Sequence, residues 1–556
     1  MSNVFTGLIV VGFHRSLTSL VSNWLHQSGM SMGQYLYPAH FSNPDGHFES
    51  VPFVSLHDRL LAKQGTDWCF HGELIFDPCE RMDLMQRYID LRSRQDETPW
   101  GAKDPRVCLF LPAWRQALGE GGRYLVVLRH WAGSVESLLR RHSQVLAFAE
   151  ALPDGGVHAS FWHEPELAAR MWLAYYRSIL EHIESCPGQV LIVTHQSILS
   201  GLPLIEVVNA HFGLHLDTEK TSPLRSGLSH SQVDPALRRP LSEDLLKELE
   251  DMWQALVDKA HHRAQDENAL WMQPTAADAQ LSAWLQTVVE PCAVAKAPVI
   301  QEHDDNHLDA LLERIQKKTA RPLDSAHVLA RVESEARFSA NHWEKLGRAL
   351  LLRGHVEAAE QAFVRLLLCG HTAPYVYMLL GQCREADFDF VGAEHYYAQA
   401  IQRNPKNPAF HVCMANLRLV LGERAQGEAL LRAAMQTMPD HPVLLQALAQ
   451  NLDQQGRTAE AVELLMDKAS TVFSQRLLLA LRMKLDHAAG QARYAQYAQE
   501  IAARPEARGA LSALLCSVED AELRYDLACR IVGHYRDHGI DVGEWLNPPP
   551  SAAAHD

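Results

Sequence analysis

VVGFHRSLTSLVSNWL, residues 10–25, joins an apolar run to a break at Gly12 and a polar stretch, Arg15-Ser16-Leu17-Thr18-Ser19, that leads into a helical pattern. The run begins at Leu8-Ile9-Val10-Val11 and reads as a buried strand. Beyond the loop, Leu20, Val21, Trp24 and Leu25 share one helical face, and Gly29 stands at the C-terminal stop. The pattern predicts strand, loop and a helix from about Thr18, with residues 14–19 at its N-terminus. Free backbone N–H groups and the positive end of the helix dipole favour an anion there. Arg15 adds a full charge; Ser16, Thr18 and Ser19 add hydroxyl donors. Ser and Thr also cap helices with no ligand present, so the loop alone decides nothing. A triphosphate-binding loop of the usual kind is excluded. Gly7 and Gly12 have its glycine spacing, but they bracket the strand, and Phe13-His14 replaces the required Lys-Ser/Thr.

Two further apolar runs, Tyr124–Leu128 and Val190–Val193, read as strands, and 131–142 and 165–185 read as helices. That alternation predicts an α/β domain with a mostly parallel sheet over residues 1–270. Arg129 ends the second strand, and Ser137 lies in the early turns of the next helix. Both fall at the C-terminal sheet edge, where open α/β sheets bind ligands. Two separate anion grips on one edge fit a ligand with two separated phosphate groups.

The second half follows a different rule. Gly347, Gly381, Ala415 and Ala449 recur every 34 residues, and so do Ala359, Ala393, Gly427 and Ala461. Pro405 and Pro439 close two units at the same spacing. Small residues suit the close approach of two hairpin helices, and proline ends the second. The pattern resembles the tetratricopeptide repeat and predicts an all-α solenoid over 336–470. A helical capping segment is expected over 471–546, a linker with some helix over 271–335 and a frayed tail over 547–556.

The 556 residues carry a formal charge of −16, which disfavours general nucleic-acid binding. The ten cysteines are scattered without CxxC spacing, as buried thiols of a reducing compartment would be, and no metal site is expected. No run of 18 apolar residues and no signal-peptide pattern appears, so the expectation is a cytoplasmic chain without a membrane span.

HRSLTS (14–19), the Arg129…Ser137 pair and WGAKDPRVCLFLPAW (100–114) together resemble the PAPS-dependent sulfotransferases, PAPS being 3′-phosphoadenosine 5′-phosphosulfate. The bacterial branch with an RSGTS-type loop and an N-x-x-G-x-F-E motif, here Asn43-Pro44-Asp45-Gly46-His47-Phe48-Glu49, is most similar. The resemblance covers about 1–230. It implies a P-loop-like α/β fold in which Arg15, Ser16, Leu17, Thr18 and Ser19 bind the 5′-phosphosulfate, and Arg129 and Ser137 bind the 3′-phosphate. The implied activity is transfer of a sulfuryl group from PAPS to the hydroxyl of a carbohydrate, glycolipid or small metabolite.

Arg15 and Lys103 are the candidates to stabilise charge on the reacting oxygens. Glu49 is the candidate base, with His14 and His47 behind it. Arg225, in Ser222-Pro223-Leu224-Arg225, is a candidate to close over the nucleotide. Leu17 departs from the family's Gly and is expected to sit in the helical region with its side chain turned into the core. Lys103-Asp104-Pro105-Arg106 also reads as a salt-bridge corner, and Trp68, Trp100, Trp162 and Trp172 as core. The repeats would dock a protein or peptide partner. An ATP-dependent kinase and a catalytically inert scaffold are the competing readings.

Overall fold

The computed structural model describes residues 5–40, 43–72, 78–95, 99–148, 156–224, 232–272, 323–334, 340–503 and 514–540. Arg225, most of the 271–335 segment and the 547–556 tail lie outside them.

Four parallel strands form the first domain's sheet: β1 (Gly7–Val11), β2 (Gly101–Lys103), β3 (Gly122–Leu128) and β4 (Val190–Thr194), in the order β2-β1-β3-β4. Between and after them run α1 (Thr18–Gln27), α2 (Val51–Lys63), α3 (Pro78–Gln95), α4 (Leu111–Leu118) and α5 (Trp131–Phe148). Then come α6 (Gly156–His163), α7 (Leu167–Ser185), α8 (His195–Leu199), α9 (Leu204–Phe212) and α10 (Glu243–Val257). Strand residues alternate between two cores, as a period of two requires. Ile9, Val11, Val126, Leu128 and Ile192 face the cluster packed by α2–α5, α7 and α10. Leu8, Val10, Leu125, Val127 and Val193 face the cluster packed by α1, α8 and α9. Both faces are covered, so the strands read as continuous apolar runs. The three-residue β2 is too short to show any period, and sequence reading missed it.

Chain order reverses at β1. After β1 the chain goes to β2 on one side, then returns to β3 on the other, so the switch point lies between the C-terminal ends of β1 and β3.

The repeats are antiparallel helix pairs: 340–352 with 356–368, 374–386 with 390–403, 408–420 with 424–437, and 442–454 with 458–466. The small first-helix positions each face a larger residue of the second helix, sixteen further on. A Cβ on Gly347 would meet Phe363 at 2.5 Å, and one on Gly381 would meet Tyr397 at 2.4 Å. Where the larger residue shrinks to Leu431 or Leu465, the small one grows to Ala415 or Ala449. Volume is conserved across each pair, as close packing demands. Pro374, Pro408 and Pro442 open three first helices at the position where a missing N–H costs nothing.

The turns inside the hairpins, again 34 residues apart, dock on the α/β domain. Arg59 of α2 reaches Glu357 (2.7 Å), the Ala386 carbonyl (3.0 Å) and Asp387 (3.4 Å), and Arg87 of α3 also holds Asp387 at 2.8 Å. Gln95 donates to the Val420 carbonyl and Arg424 to the Gln34 carbonyl. Gln454 exchanges two hydrogen bonds with the Leu36 backbone, at 3.2 and 3.1 Å. Beyond the repeats, the helices 472–485 and 487–502 continue the stack. The helix 521–537 does more than cap it, because it returns to α5. Arg530 grips Glu136 through two hydrogen bonds, 2.6 and 2.9 Å, and the Tyr535 hydroxyl donates to the Ala147 carbonyl.

Gly354 tests the docking. Its φ is +73°, and a Cβ there would lie 2.3 Å from the Arg59 carbonyl oxygen, whereas Gly456, one more turn at φ +77°, faces open space. Ala at either position should cost about 1–2 kcal/mol in backbone strain. Chemical denaturation should show a clearly larger loss for Gly354→Ala than for Gly456→Ala; equal losses would mean that the hairpin turn does not bear on α2.

Candidate functional site

The switch point gathers the residues that the sequence singled out. Gly12 leaves β1 under the Val127 carbonyl, where a Cβ would approach to 2.8 Å, so only glycine lets the loop turn this tightly. The loop then runs to Leu17 at the N-cap of α1. Here the sequence expectation fails: Leu17 has φ 69° and ψ 10°, left-handed rather than helical, and Arg15 has φ 66°. Left-handed backbone costs a non-glycine residue about 1–2 kcal/mol. Leu17 is offset in part because its side chain packs against the α1 core cluster.

Arg15 Nε donates to the Ser137 hydroxyl on α5 at 3.0 Å, and Arg129 Nη1 donates to the Arg15 carbonyl at 2.5 Å. Ser16, fully buried, faces the Tyr176 hydroxyl at 3.4 Å, which also accepts from the Arg129 backbone N–H. This corrects the expectation of two separated grips. Arg129 and Ser137 bond to Arg15 of the loop itself, so β1, β3 and α5 build one continuous cationic site.

Arg141 belongs to that site and was missed. It lies one helical turn after Ser137, on the same face of α5, and lies within electrostatic reach of both Arg15 and Glu49. It makes no hydrogen bond or ion pair among the described residues. The Ser137–Arg141 spacing was the available signal. Burial, then the Arg141 and Arg129 charges, pushes Arg15 down to about 9, and burial pushes Arg129 down to about 10. Guanidinium keeps its proton at neutral pH. The lowered values reflect positive charge held out of water by burial.

Beside the arginines stands one ion pair. Lys103, at the end of β2 and 1 % exposed, donates to Glu49 at 2.6 Å and to the Ser19 hydroxyl at 3.1 Å. The adjoining Asp104 and Arg106 form the structural corner: Asp104 accepts from Arg106 (2.9 Å) and lies 2.7 Å from His57 Nδ1. The KDPR turn thus divides, Lys103 facing the site and its neighbours holding the fold. Thr18 is buried in the first turn of α1.

His14 packs on Trp68 (4.8 Å between ring centroids), and its Nε2 is buried without a hydrogen-bond partner. Burial, and then Arg106, holds its pKa well below the ordinary value, so the ring is neutral. Burial, then Arg141 and Lys103, does the same to His47, whose Nδ1 lies 3.4 Å from the Asn43 amide. Both are weak bases in these surroundings. Trp100, Trp162 and Trp172 are core residues. Among the described residues no group of three or more His, Cys, Asp or Glu could hold a metal, and no helix is long and apolar enough to cross a membrane.

No family model and no curated protein matches this sequence. Among solved structures the chain is similar to the MamA protein at 13 % identity and TM-score 0.23, covering 38 % of this chain and 96 % of that one. It is also similar to the APC/C hetero-tetramer Cut9-Hcn1 (15 % identity, 83 % of each chain, TM-score 0.24). Yeast Tom70 is a third, at 12 % identity and TM-score 0.22, over 74 % of this chain and 98 % of that one. At those scores the repeat architecture rests on its own helix pairs.

Buried positive charge at Arg15 and Arg141 should cost folding stability. Their folded pKa values lie below the unfolded value, so the cost is complete at every pH below about 9 and is relieved by a bound anion. Arg141→Met should therefore raise the melting temperature while weakening sulfate or phosphate binding at least tenfold. Calorimetry checks both, and unchanged anion affinity would place Arg141 outside the site.

Proposed function

We propose that the chain is a sulfotransferase that moves a sulfuryl group from PAPS to an acceptor hydroxyl. The observation that carries this reading is the group of three guanidinium groups, Arg15, Arg129 and Arg141, at the N-terminus of α1 with one carboxylate beside them. Such a site suits a polyanionic donor with charge at both its 5′ and 3′ positions, and it offers no lysine of the triphosphate-loop kind after Gly12.

In this reading the loop N–H groups, Arg15, Ser16, Thr18 and Ser19 hold the phosphosulfate, and Arg129, Ser137 and Arg141 complete the grip on the nucleotide's phosphates. The acceptor oxygen attacks sulfur in line, the bond from sulfur to the phosphate oxygen breaks, and adenosine 3′,5′-bisphosphate leaves. Glu49 takes the acceptor's proton. Neutralising Glu49 weakens its hold on Lys103, which then turns its ammonium toward the leaving oxygen as charge builds there. The hairpin turns of the repeats hold α2 and α3, so a protein partner is assigned to the outward helices, where Leu368, Val391 and Val443 stand exposed.

Thermal shifts with adenosine 3′,5′-bisphosphate, ADP and ATP test the donor. At 100 times its Kd a ligand stabilises by about 2.7 kcal/mol. The bisphosphate should give the largest shift, lost in Arg129→Ala; an equal or larger response to ATP overturns the proposal. Glu49→Gln should retain the bisphosphate shift and lose sulfuryl transfer, and full activity in that variant would move the base to His14 or His47.

A further inference from the structure

A cavity of about 330 Å³ lies where the α/β domain meets the second and third repeats. Its aromatic walls come from both domains. Tyr35 belongs to the segment before α2, Phe388 to a hairpin turn, and Phe390 and Tyr397 to the helix 390–403. Gln382 and Asn416 add amides.

Glu385, from the last turn of the helix 374–386, also lines this cavity. Its carboxylate accepts one hydrogen bond, from the Tyr397 hydroxyl at 2.6 Å, and no lysine or arginine pairs with it among the described residues. Burial raises its pKa, as it does for a carboxylate without a cation. The Tyr35 hydroxyl lies within electrostatic reach of that carboxylate and has no hydrogen-bond partner among the described residues. A part-buried carboxylate with one hydroxyl donor has unmet acceptor capacity that an occupant of the cavity can fill. Aromatic faces around a carboxylate are also the surroundings that attract an organic cation.

We propose that this interdomain cavity binds a small organic cation, a primary amine or guanidinium, whose head pairs with Glu385 and whose body lies against the aromatic walls. The volume admits a short free amine or one lysine or arginine side chain of a peptide, and the recognition chemistry is the same for both. The site is distinct from the arginine-rich one and does not rest on the sulfuryl-transfer reading. It is connected to that site through the backbone: the Val51 N–H donates to the Tyr35 carbonyl and the Tyr37 N–H to the Glu49 carbonyl, both at 2.9 Å. An occupant therefore leans on the segment that carries Glu49.

Isothermal titration of the full chain at pH 7.5 tests this, with agmatine, cadaverine, an N-acetylated lysine tripeptide amide and the neutral 1,5-pentanediol. The expected result is saturable one-site binding of amines, at least tenfold weaker in Glu385→Gln, and no binding of the diol. Tyr35→Phe, which keeps the ring and spares the carboxylate, should weaken amines several-fold with an unchanged melting temperature. Tighter binding of the tripeptide identifies a polypeptide source and tighter binding of the free amines a metabolite; both uphold the site. Absent or non-saturable amine binding, equal affinity in Glu385→Gln, or diol binding as tight as cadaverine overturns it.

Discussion

The position of β1 between β2 and β3 is the constraint on which the rest of the site depends. Val10 pairs with Lys103 on one side and Val11 with Val126 on the other. Those two registers bring the ends of three strands level. They place the loop after Gly12, Lys103 and Arg129 on one edge, although the three are far apart in the chain. Burial lowers the pKa values of Arg15 and Arg129 there, and a bound anion would offset the cost of holding both charges out of water.

The repeats extend this arrangement. Tetratricopeptide-type pairs usually leave their hairpin turns to solvent, but here those turns rest on α2, α3 and the segment around Gln34. The C-terminal helix closes the assembly on α5 through Arg530 and Glu136, and the neighbouring residue, Ser137, faces the arginine site. Glu136 and Arg530 are both largely withdrawn from water, so removing either would strand a charge. The solenoid therefore braces α2, which directly follows Glu49, and α5, which carries Ser137 and Arg141.

Much of the architecture was legible in one dimension. Three of the four strands announced themselves as apolar runs, since both sheet faces are buried. The 34-residue period announced the helix pairs, because each hairpin must satisfy the same close approach. The sequence also placed Arg15, Ser16, Arg129 and Ser137 at one sheet edge, after β1 and β3, and the structure brings them together there. Arg141 was not: its meaning depends on which face of α5 looks toward the sheet edge. Leu17 was misread because a left-handed leucine violates local preference, and only the surrounding contacts hold it there.

The sequence by itself determined the periodicities, hence the strands, the helix pairs and the loop that starts α1, because those follow from interactions within a few residues or one repeat. Tertiary structure alone decided the rest. It fused two expected anion grips into one and gave Lys103 to Glu49 while Asp104 went to His57. It also turned the repeats' edges inward against α2. Each of these joins residues from about 50 to about 330 positions apart. Such pairs are selected by sheet register and packing, and no local pattern in the chain encodes them.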